Sequence, residues 1–326
     1  MLHTRFIGTG HYLPKTVLTN FDLEKIMDTS DEWIRQRTGI HQRHVAAEDE
    51  ATSDLGLEAA RNAISDAGIA PEEIEYVMCA TLTPDYFMPA TACMIQQKLG
   101  AKRAAALDIN AACSGFLYGV QLADALIRSG AYKTILLVAA EKLTVRLDWR
   151  KRDTAVLFGD GAGAVVLRGE EGEHGVLSTF ASADGSAYQM LHIPSGGSRE
   201  AITPDNINDV ERGIMMDGQA LYKRAVKAFG EATERALQQT QLTSENIKLF
   251  VPHQANKRII DSATSRLGIP DEKIYLNLDR VANTSAASIP IALDQARKEG
   301  RIVDNDIVLM AAFGAGLTWA SAMVRW

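Results

Sequence analysis

Apolar runs such as EYVMCAT (75–81), TILLVAA (134–140), LFVPH (249–253) and IVLMAAF (307–313) alternate with longer segments whose apolar residues recur at helical spacing. Unbroken apolar runs of this length suit strands buried on both faces. Strands that alternate with helices predict an α/β architecture with largely buried strands.

The pattern also repeats. The helix–turn–strand text ARNAISDAGIAPEEIEYVMCAT (60–81) is echoed by ERALQQTQLTSENIKLFVPHQ (234–254). QQKLGA answers to TSRLGI, pairing Gly100 with Gly268 at a separation of 268 − 100 = 168. KTILLVAAEKLT answers to NDIVLMAAFGAG, pairing Ile135 with Ile307 at 307 − 135 = 172. Any two α/β halves share some patterning, but landmarks in one order at nearly constant spacing point to a repeat. The sequence therefore predicts two similar halves, 1–172 and 173–326, meeting in the polar stretch RGEEGEHG.

The repeat places LDINAACSGF opposite LNLDRVANTSAAS, so Cys113 and Asn283 are expected in corresponding strand-to-helix turns, 283 − 113 = 170 apart. His253 ends an apolar strand and would reach the same region. Ala111, Ala112, Ser114 and Gly115 leave space for a substrate at the sulfur and let a helix start sharply. A helix N-terminus is expected to favour thiolate over a free thiol value of roughly 8.5, and its amides can bind an oxyanion. His253 and Asn283 can donate to a developing negative charge, or His253 can exchange protons with the sulfur. This set suits acyl transfer through a thioester. Cys79 and Cys93 are expected to be packing residues.

Other features narrow the reading. With 46% hydrophobic and 23% charged residues in 326, the chain reads as a soluble globular protein. Its net charge of −7 argues against nucleic-acid binding as its main role. No apolar run reaches the roughly 18 residues of a membrane span, and MLHTRFIGTGHYLP has no long apolar signal region, so a cytoplasmic location without membrane association is expected. The three cysteines form no CxxC pair, which supports neither a disulfide framework nor a cysteine zinc site. His41 and His44 have no carboxylate or thiol partner and read as exposed polar residues, while His3, His11, His174 and His192 lack supporting context. FGDGAGAVVL (158–167) is followed by strand-like sequence, so it reads as a hairpin or tight turn rather than a nucleotide-binding loop.

AACSGF, VPHQANKRII and NTSAAS, together with TSDEWIRQRTGI, FGDGAGA and AFGAGLTW, resemble the β-ketoacyl-[acyl carrier protein] synthase III family of the thiolase-like superfamily. The resemblance covers essentially the whole chain. It implies two βαβαβαββ halves in a five-layered α-β-α-β-α arrangement, usually in a homodimer. It also implies a fatty-acid initiation step: a short acyl group moves from coenzyme A to Cys113, and decarboxylation of malonyl-acyl carrier protein generates the attacking carbanion. His253 and Asn283 would stabilise the enolate, and the backbone amides of Cys113 and Ala315 the oxyanion. Acyl-CoA is a substrate, and no cofactor or metal is expected.

By the same resemblance, Trp33 and Arg152 would sandwich the adenine, with Arg37, Thr38 and Asn256 nearby. Gln254, Ala255, Asn256, Lys257 and Arg258, with Lys223, Arg224 and Lys227, would meet the acidic carrier protein. Phe313 would line the acyl pocket, and Phe87 and Met88 would reach that of the neighbouring subunit. Ser114, Ala282 and Ala315 depart from the commonest family residues but remain small. The long loop HIPSGGSREAITPDN (192–206) and the basic stretch LDWRKRD (147–153) leave starter choice open. The rival readings are a condensing or starter enzyme of secondary metabolism, a non-catalytic acyl-carrier-binding homologue, and a cysteine hydrolase.

Overall fold

The apolar runs become the strands of two sheets in the computed structural model, which describes residues 2–326. The first sheet contains β1 (Leu2–Tyr12), β2 (Tyr76–Ala80), β3 (Ala105–Ile109), β4 (Thr134–Glu141) and β5 (Gly161–Glu171) in the order β1-β5-β4-β2-β3. The second contains β6 (Gly175–Ala183), β7 (Leu249–Pro252), β8 (Ile307–Gly314) and β9 (Thr318–Arg325) in the order β7-β8-β9-β6. Strand β2 runs parallel to β3 and β4, and β5 runs antiparallel to β4 and β1. The second sheet repeats this pattern, with β7 parallel to β8, and β9 antiparallel to β8 and β6. A parallel bridge from Ile274 to Phe250 stands where β3 stands in the first sheet. The chain leaves the first sheet at Glu171 and enters the second at Gly175.

The longer helices are α1 (Asp31–Thr38), α2 (Thr52–Ala67), α3 (Thr91–Leu99), α4 (Gly115–Arg128), α5 (Gly218–Thr240), α6 (Lys257–Leu267) and α7 (Ser288–Lys298). Five layers result. Helices α2 and α3 cover the outer face of the first sheet through Leu55, Ala63 and Ile95. Helices α4 and α7 lie between the sheets, where Phe116, Val120 and Ile289 pack with Leu137, Val165 and Met310. Helices α5 and α6 cover the second sheet through Phe229 and Ile260. Strand β4 shows why its sequence is apolar throughout: Ile135, Leu137 and Ala139 face the central core, while Leu136, Val138 and Ala140 face the outer one. Gly100 and Gly268, paired by the repeat, both end their helices in the left-handed region at φ +79° and +64°.

The structure changes several local expectations. FGDG is not a hairpin turn: β4 and β5 are antiparallel neighbours, but residues 142–160 loop out between them. Asp160 fixes the end of that excursion by accepting from Ala46 N, Thr144 N and Thr144 Oγ1 at 2.8, 2.9 and 2.6 Å. Cys79 is a buried packing residue, but Cys93 in the first turn of α3 is exposed. His11 contacts the buried Asp294 and so ties β1 to α7, while His44 Nδ1 lies 2.6 Å from Pro14 O. Among the described residues, no helix is long and apolar enough to cross a membrane.

The outer layer tolerates no added atom where β1 meets α2. A Cβ at Gly10 would lie 2.3 Å from Ala63 N and 2.5 Å from Ala59 O. Gly10→Ala is therefore expected to destabilise the fold by about 1–3 kcal/mol through overpacking against backbone. Denaturant titration of the variant checks this, and an unchanged midpoint would contradict the close approach.

Candidate active site

Two equivalent turns, one from each half, form the floor of the site. Cys113 lies in the single 3-10 turn Ala112–Ser114 that leads into α4, and the turn Ser285–Ala287 leads likewise into α7. In each turn an asparagine side chain caps the backbone two residues on. Asn110 Oδ1 accepts from Ala112 N at 3.3 Å, and Asn283 Oδ1 accepts from Ser285 N at 2.8 Å. Ala112 and Ser285 both adopt the left-handed region, at φ +46° and +51°. The true register is thus 283 − 110 = 173, which also relates the first residues of β4 and β8, 307 − 134 = 173. Cys113 therefore corresponds to Ala286, and Asn283 to Asn110, three residues away from the register the sequence suggests.

The two halves contribute different groups at this junction. His253 follows β7 and continues its ladder, donating from N to Ala311 O at 2.8 Å. Asn283 is held by backbone hydrogen bonds to Leu157 and Gly159. Cys113, His253 and Asn283 are 7%, 1% and 6% exposed, and all line one cavity of about 550 Å³. Because Asn283 commits its carbonyl oxygen to Ser285 N, its amide NH₂ is the end left for the cavity. Ser288 Oγ lies 2.6 Å from His253 Nδ1 and accepts from Gln254 N at 3.4 Å. A Ser288 hydroxyl that donates to Nδ1 would leave His253 protonated at Nε2, the nitrogen not engaged by Ser288. Burial pushes the His253 pKa down to about 3, so its imidazole is neutral. Both His253 and Asn283 are then uncharged polar groups at the cavity.

The sulfur departs from the expectation of a stabilised thiolate. Burial pushes the Cys113 pKa up to about 11, against smaller lowering effects from Ser285 and the backbone N–H groups of Cys113 and Ala315. The helix begins only at Gly115, two residues beyond the sulfur, and desolvation outweighs its N-terminal amides. Those two N–H groups approach the sulfur as a pair of oxyanion donors would. Gly314 makes this approach possible, since a Cβ there would lie 2.7 Å from Cys113 N.

A second cavity, of about 240 Å³, is lined mainly by apolar residues including Leu82, Leu143, Ile193 and Ile214. Cys113, Phe158 and Leu191 line both cavities. Phe313, expected in the acyl pocket, lines the larger cavity and not the smaller one, and packs in the outer core of the second sheet with Phe229 and Ile260. Phe87 and Met88 are 85% and 86% exposed and line neither cavity.

Of the residues expected at the cavity mouth, Trp33, Arg37, Thr38, Lys223, Ala255, Asn256 and Arg258 line it. Arg152 instead stacks directly on Trp33, with its guanidinium 4.8 Å from the ring centroid, so the two leave no gap between them. Gln254 is fully buried, donating to Pro252 O and Tyr275 O, and is not a surface residue. Lys257 pairs with Asp261 and Arg224 with Asp184, both at 2.7 Å. Ser285 and Ser288 were missed by sequence reasoning. They stand in the conspicuous NTSAAS motif, but only the helical register separates their roles from that of packing serines.

Two family models match the chain: 3-oxoacyl-[acyl-carrier-protein] synthase III over residues 107–185, and the C-terminal region of the same family over residues 237–326. A β-ketoacyl-[acyl-carrier-protein] synthase III from Caldanaerobacter subterraneus subsp. tengcongensis is 48% identical over 98% of this chain and 97% of its own length. Among solved structures, the 3-oxoacyl-[acyl-carrier-protein] synthase III from Aquifex aeolicus superposes with a TM-score of 0.93 at 46% identity, covering 99% of this chain and 100% of that one. The corresponding synthase III from Thermus thermophilus gives 0.93 at 44% identity and covers 99% of both chains.

The buried sulfur makes a testable difference. The ultraviolet thiolate absorbance of the free protein, taken as the difference from Cys113→Ala, should titrate at about 11. A midpoint below the free-thiol value of roughly 8.5 would contradict a neutral resting thiol.

Proposed function

The chain belongs to the 3-oxoacyl-[acyl-carrier-protein] synthase III family and is an initiating condensing enzyme of fatty-acid synthesis; from that premise we propose that Cys113 carries the acyl group between the two half-reactions. The observation that carries this reading is the position of Cys113, which lines both the larger cavity, bordered by Trp33, Arg37, Lys223 and Arg258, and the smaller apolar one. A thioester entering through the larger cavity brings its carbonyl to the sulfur, and a short acyl chain continues into the smaller cavity. The N–H groups of Cys113 and Ala315 receive the oxyanion as the tetrahedral intermediate forms. Coenzyme A then leaves and the acyl group stays on Cys113.

Malonyl-acyl carrier protein follows by the same route. His253 Nε2–H and Asn283 Nδ2–H donate to its thioester oxygen, which becomes an enolate oxygen as carbon dioxide departs. Neutral donors suit this step because they favour the charged transition state without binding the uncharged ground state as strongly. The carbanion attacks the acyl-Cys113 carbonyl, the C–S bond breaks, and 3-oxoacyl-acyl carrier protein is released. Acyl-CoA is consumed as a substrate in this scheme, and none of the steps draws on a resident cofactor.

The cavity mouth supports the choice of partners. Trp33 offers a face for the adenine, and Arg152 must swing off the ring to admit it between them. Arg258 and Lys223 at the mouth give positive charge to an acidic carrier protein despite the chain's net charge of −7. Lys257 and Arg224 hold exposed ion pairs that are weak enough to exchange for partner carboxylates. A second copy of the chain would cover Tyr86, Phe87 and Met88, which are 61%, 85% and 86% exposed, and would extend the first sheet at its edge strand β3.

Single-turnover assays separate the roles. Cys113→Ala should abolish loading from acyl-CoA. His253→Ala and Asn283→Ala should largely retain loading but slow condensation by about 10²–10³-fold. Condensation at the normal rate in either variant would remove that residue from the decarboxylation step. Trp33→Ala should raise KM for acyl-CoA by about tenfold with kcat little changed. A fall in kcat at constant KM would contradict a purely binding role.

A further inference from the structure

Arg43 lies in the short strand Gln42–Val45, and its side chain is completely buried. Among the described residues its hydrogen-bond partners are all neutral. Nη1 donates to Asn20 Oδ1 at 2.9 Å and to Leu18 O at 3.3 Å, and Nη2 donates to Val156 O at 2.8 Å. Nε–H has no partner among those residues. Asp160, the buried carboxylate close by in sequence to Val156, accepts from Ala46 and Thr144 instead. Burial lowers the Arg43 pKa to about 10, so the guanidinium is charged at neutral pH. A buried cation without an anion is costly, and an apolar side chain would fill this space with less penalty. Its reach to Val156 ties the strand to residues 156–159.

Those residues hold Asn283. Asn283 N donates to Leu157 O at 3.0 Å, Gly159 N donates to Asn283 O at 3.1 Å, and Phe158 and Asn283 form an isolated parallel bridge. His253, by contrast, continues the ladder of β7 and rests against Ser288. Asn283 stands outside both sheets, between the short helix Leu278–Val281 and the turn Ser285–Ala287. Residues 156–159 likewise belong to neither sheet, and lie between the short helix Arg152–Ala155 and β5. The strand of Arg43 is bonded to both stretches: Asp160 N donates to His44 O, and His41 N donates to Asp279 O, each at 2.9 Å. A Cβ at Gly159 would lie 3.0 Å from Arg43 Cβ and 3.0 Å from Val281 O, so the three stretches meet without space to spare.

We propose that Arg43 is a positioning residue for decarboxylation: by holding Val156 O and packing on Gly159 it fixes residues 156–159, and through them the carboxamide of Asn283. This rests on Asn283 acting on the malonyl thioester in the second half-reaction. Arg43 lines neither cavity, so it acts only through that segment. An arginine suits the task because one planar fork spans acceptors on two separate stretches of chain, which the single ammonium of a lysine does not. Cys113 is held by other contacts, the close approach of Gly314 and the bond from Ser114 Oγ to Thr318 O at 3.1 Å. Loss of Arg43 therefore bears on condensation and spares acylation.

The test compares two single-turnover rates, loading of Cys113 from acetyl-CoA and condensation of the loaded enzyme with malonyl-acyl carrier protein. The variants are Arg43→Met, Arg43→Lys and Gly159→Ala, each alone and combined with Asn283→Ala. Arg43→Met should load within about twofold of wild type and condense about 100-fold more slowly. Arg43→Lys, which keeps the charge but not the fork, should recover part of that loss. On the Asn283→Ala background the same substitutions should add less than about twofold, because the group they misplace is gone. Circular dichroism establishes that each variant is folded. Gly159→Ala sets a methyl group against Arg43 and leaves the guanidinium in the chain, and it carries the same expectation should the Arg43 variants fail to fold. Loading and condensation that fall together, wild-type condensation in a folded variant, or a full further loss on the Asn283→Ala background would overturn the proposal and leave Arg43 a support of the fold. Normal condensation by Asn283→Ala alone would instead overturn the role given to Asn283.

Discussion

The site depends on one close approach between the halves. Gly314, at the end of β8, lies so near the turn of Cys113 that any side chain there would strike its backbone. That contact brings the N–H of Ala315 to the sulfur. Gly115 does the same from the other side, where a Cβ would lie 3.2 Å from Ala80 and 3.5 Å from Ala286. The small residues around Cys113 therefore serve two needs: they leave space for a substrate, and they let two sheets and two helix starts converge on one atom.

Convergence in a buried place determines the charge state. Cys113 is driven toward the thiol and His253 toward neutral imidazole by the same desolvation. We attribute reactivity to neutral groups already gathered around the sulfur, the Ala315 N–H, His253 and the Asn283 amide, rather than to a resting thiolate. Such an arrangement stabilises charge only where the reaction creates it. Ser288, whose Oγ lies 2.6 Å from His253 Nδ1, holds the ring from behind.

Much of this was legible in the residues. The alternation of apolar runs with helical segments describes both sheets, and the paired glycines Gly100 and Gly268 mark equivalent helix ends because each needs a left-handed backbone. Cys113 and His253 stand out by their neighbours. The register of the repeat was harder to read, since AACSGF and NTSAAS align equally well by eye with Cys113 opposite Asn283. Only the matched asparagine caps and left-handed residues place Asn110 opposite Asn283. The sign of the Cys113 shift was illegible for a similar reason: proximity to a helix start is local, whereas burial depends on elements more than a hundred residues away. Gln254 looked like a surface residue because its neighbours Asn256 and Arg258 are.

The central claim is that one sulfur joins two half-reactions, and the covalent intermediate itself tests it most directly. Intact-protein mass spectrometry of the wild type, first with acetyl-CoA and then with malonyl-acyl carrier protein, follows that intermediate, and peptide mapping locates it. The account predicts a gain of one acyl group on the peptide containing Cys113, lost as 3-oxoacyl-carrier product appears. Product formed with Cys113 never acylated, or an acyl group that stays on Cys113 when the malonyl substrate is added, would contradict it.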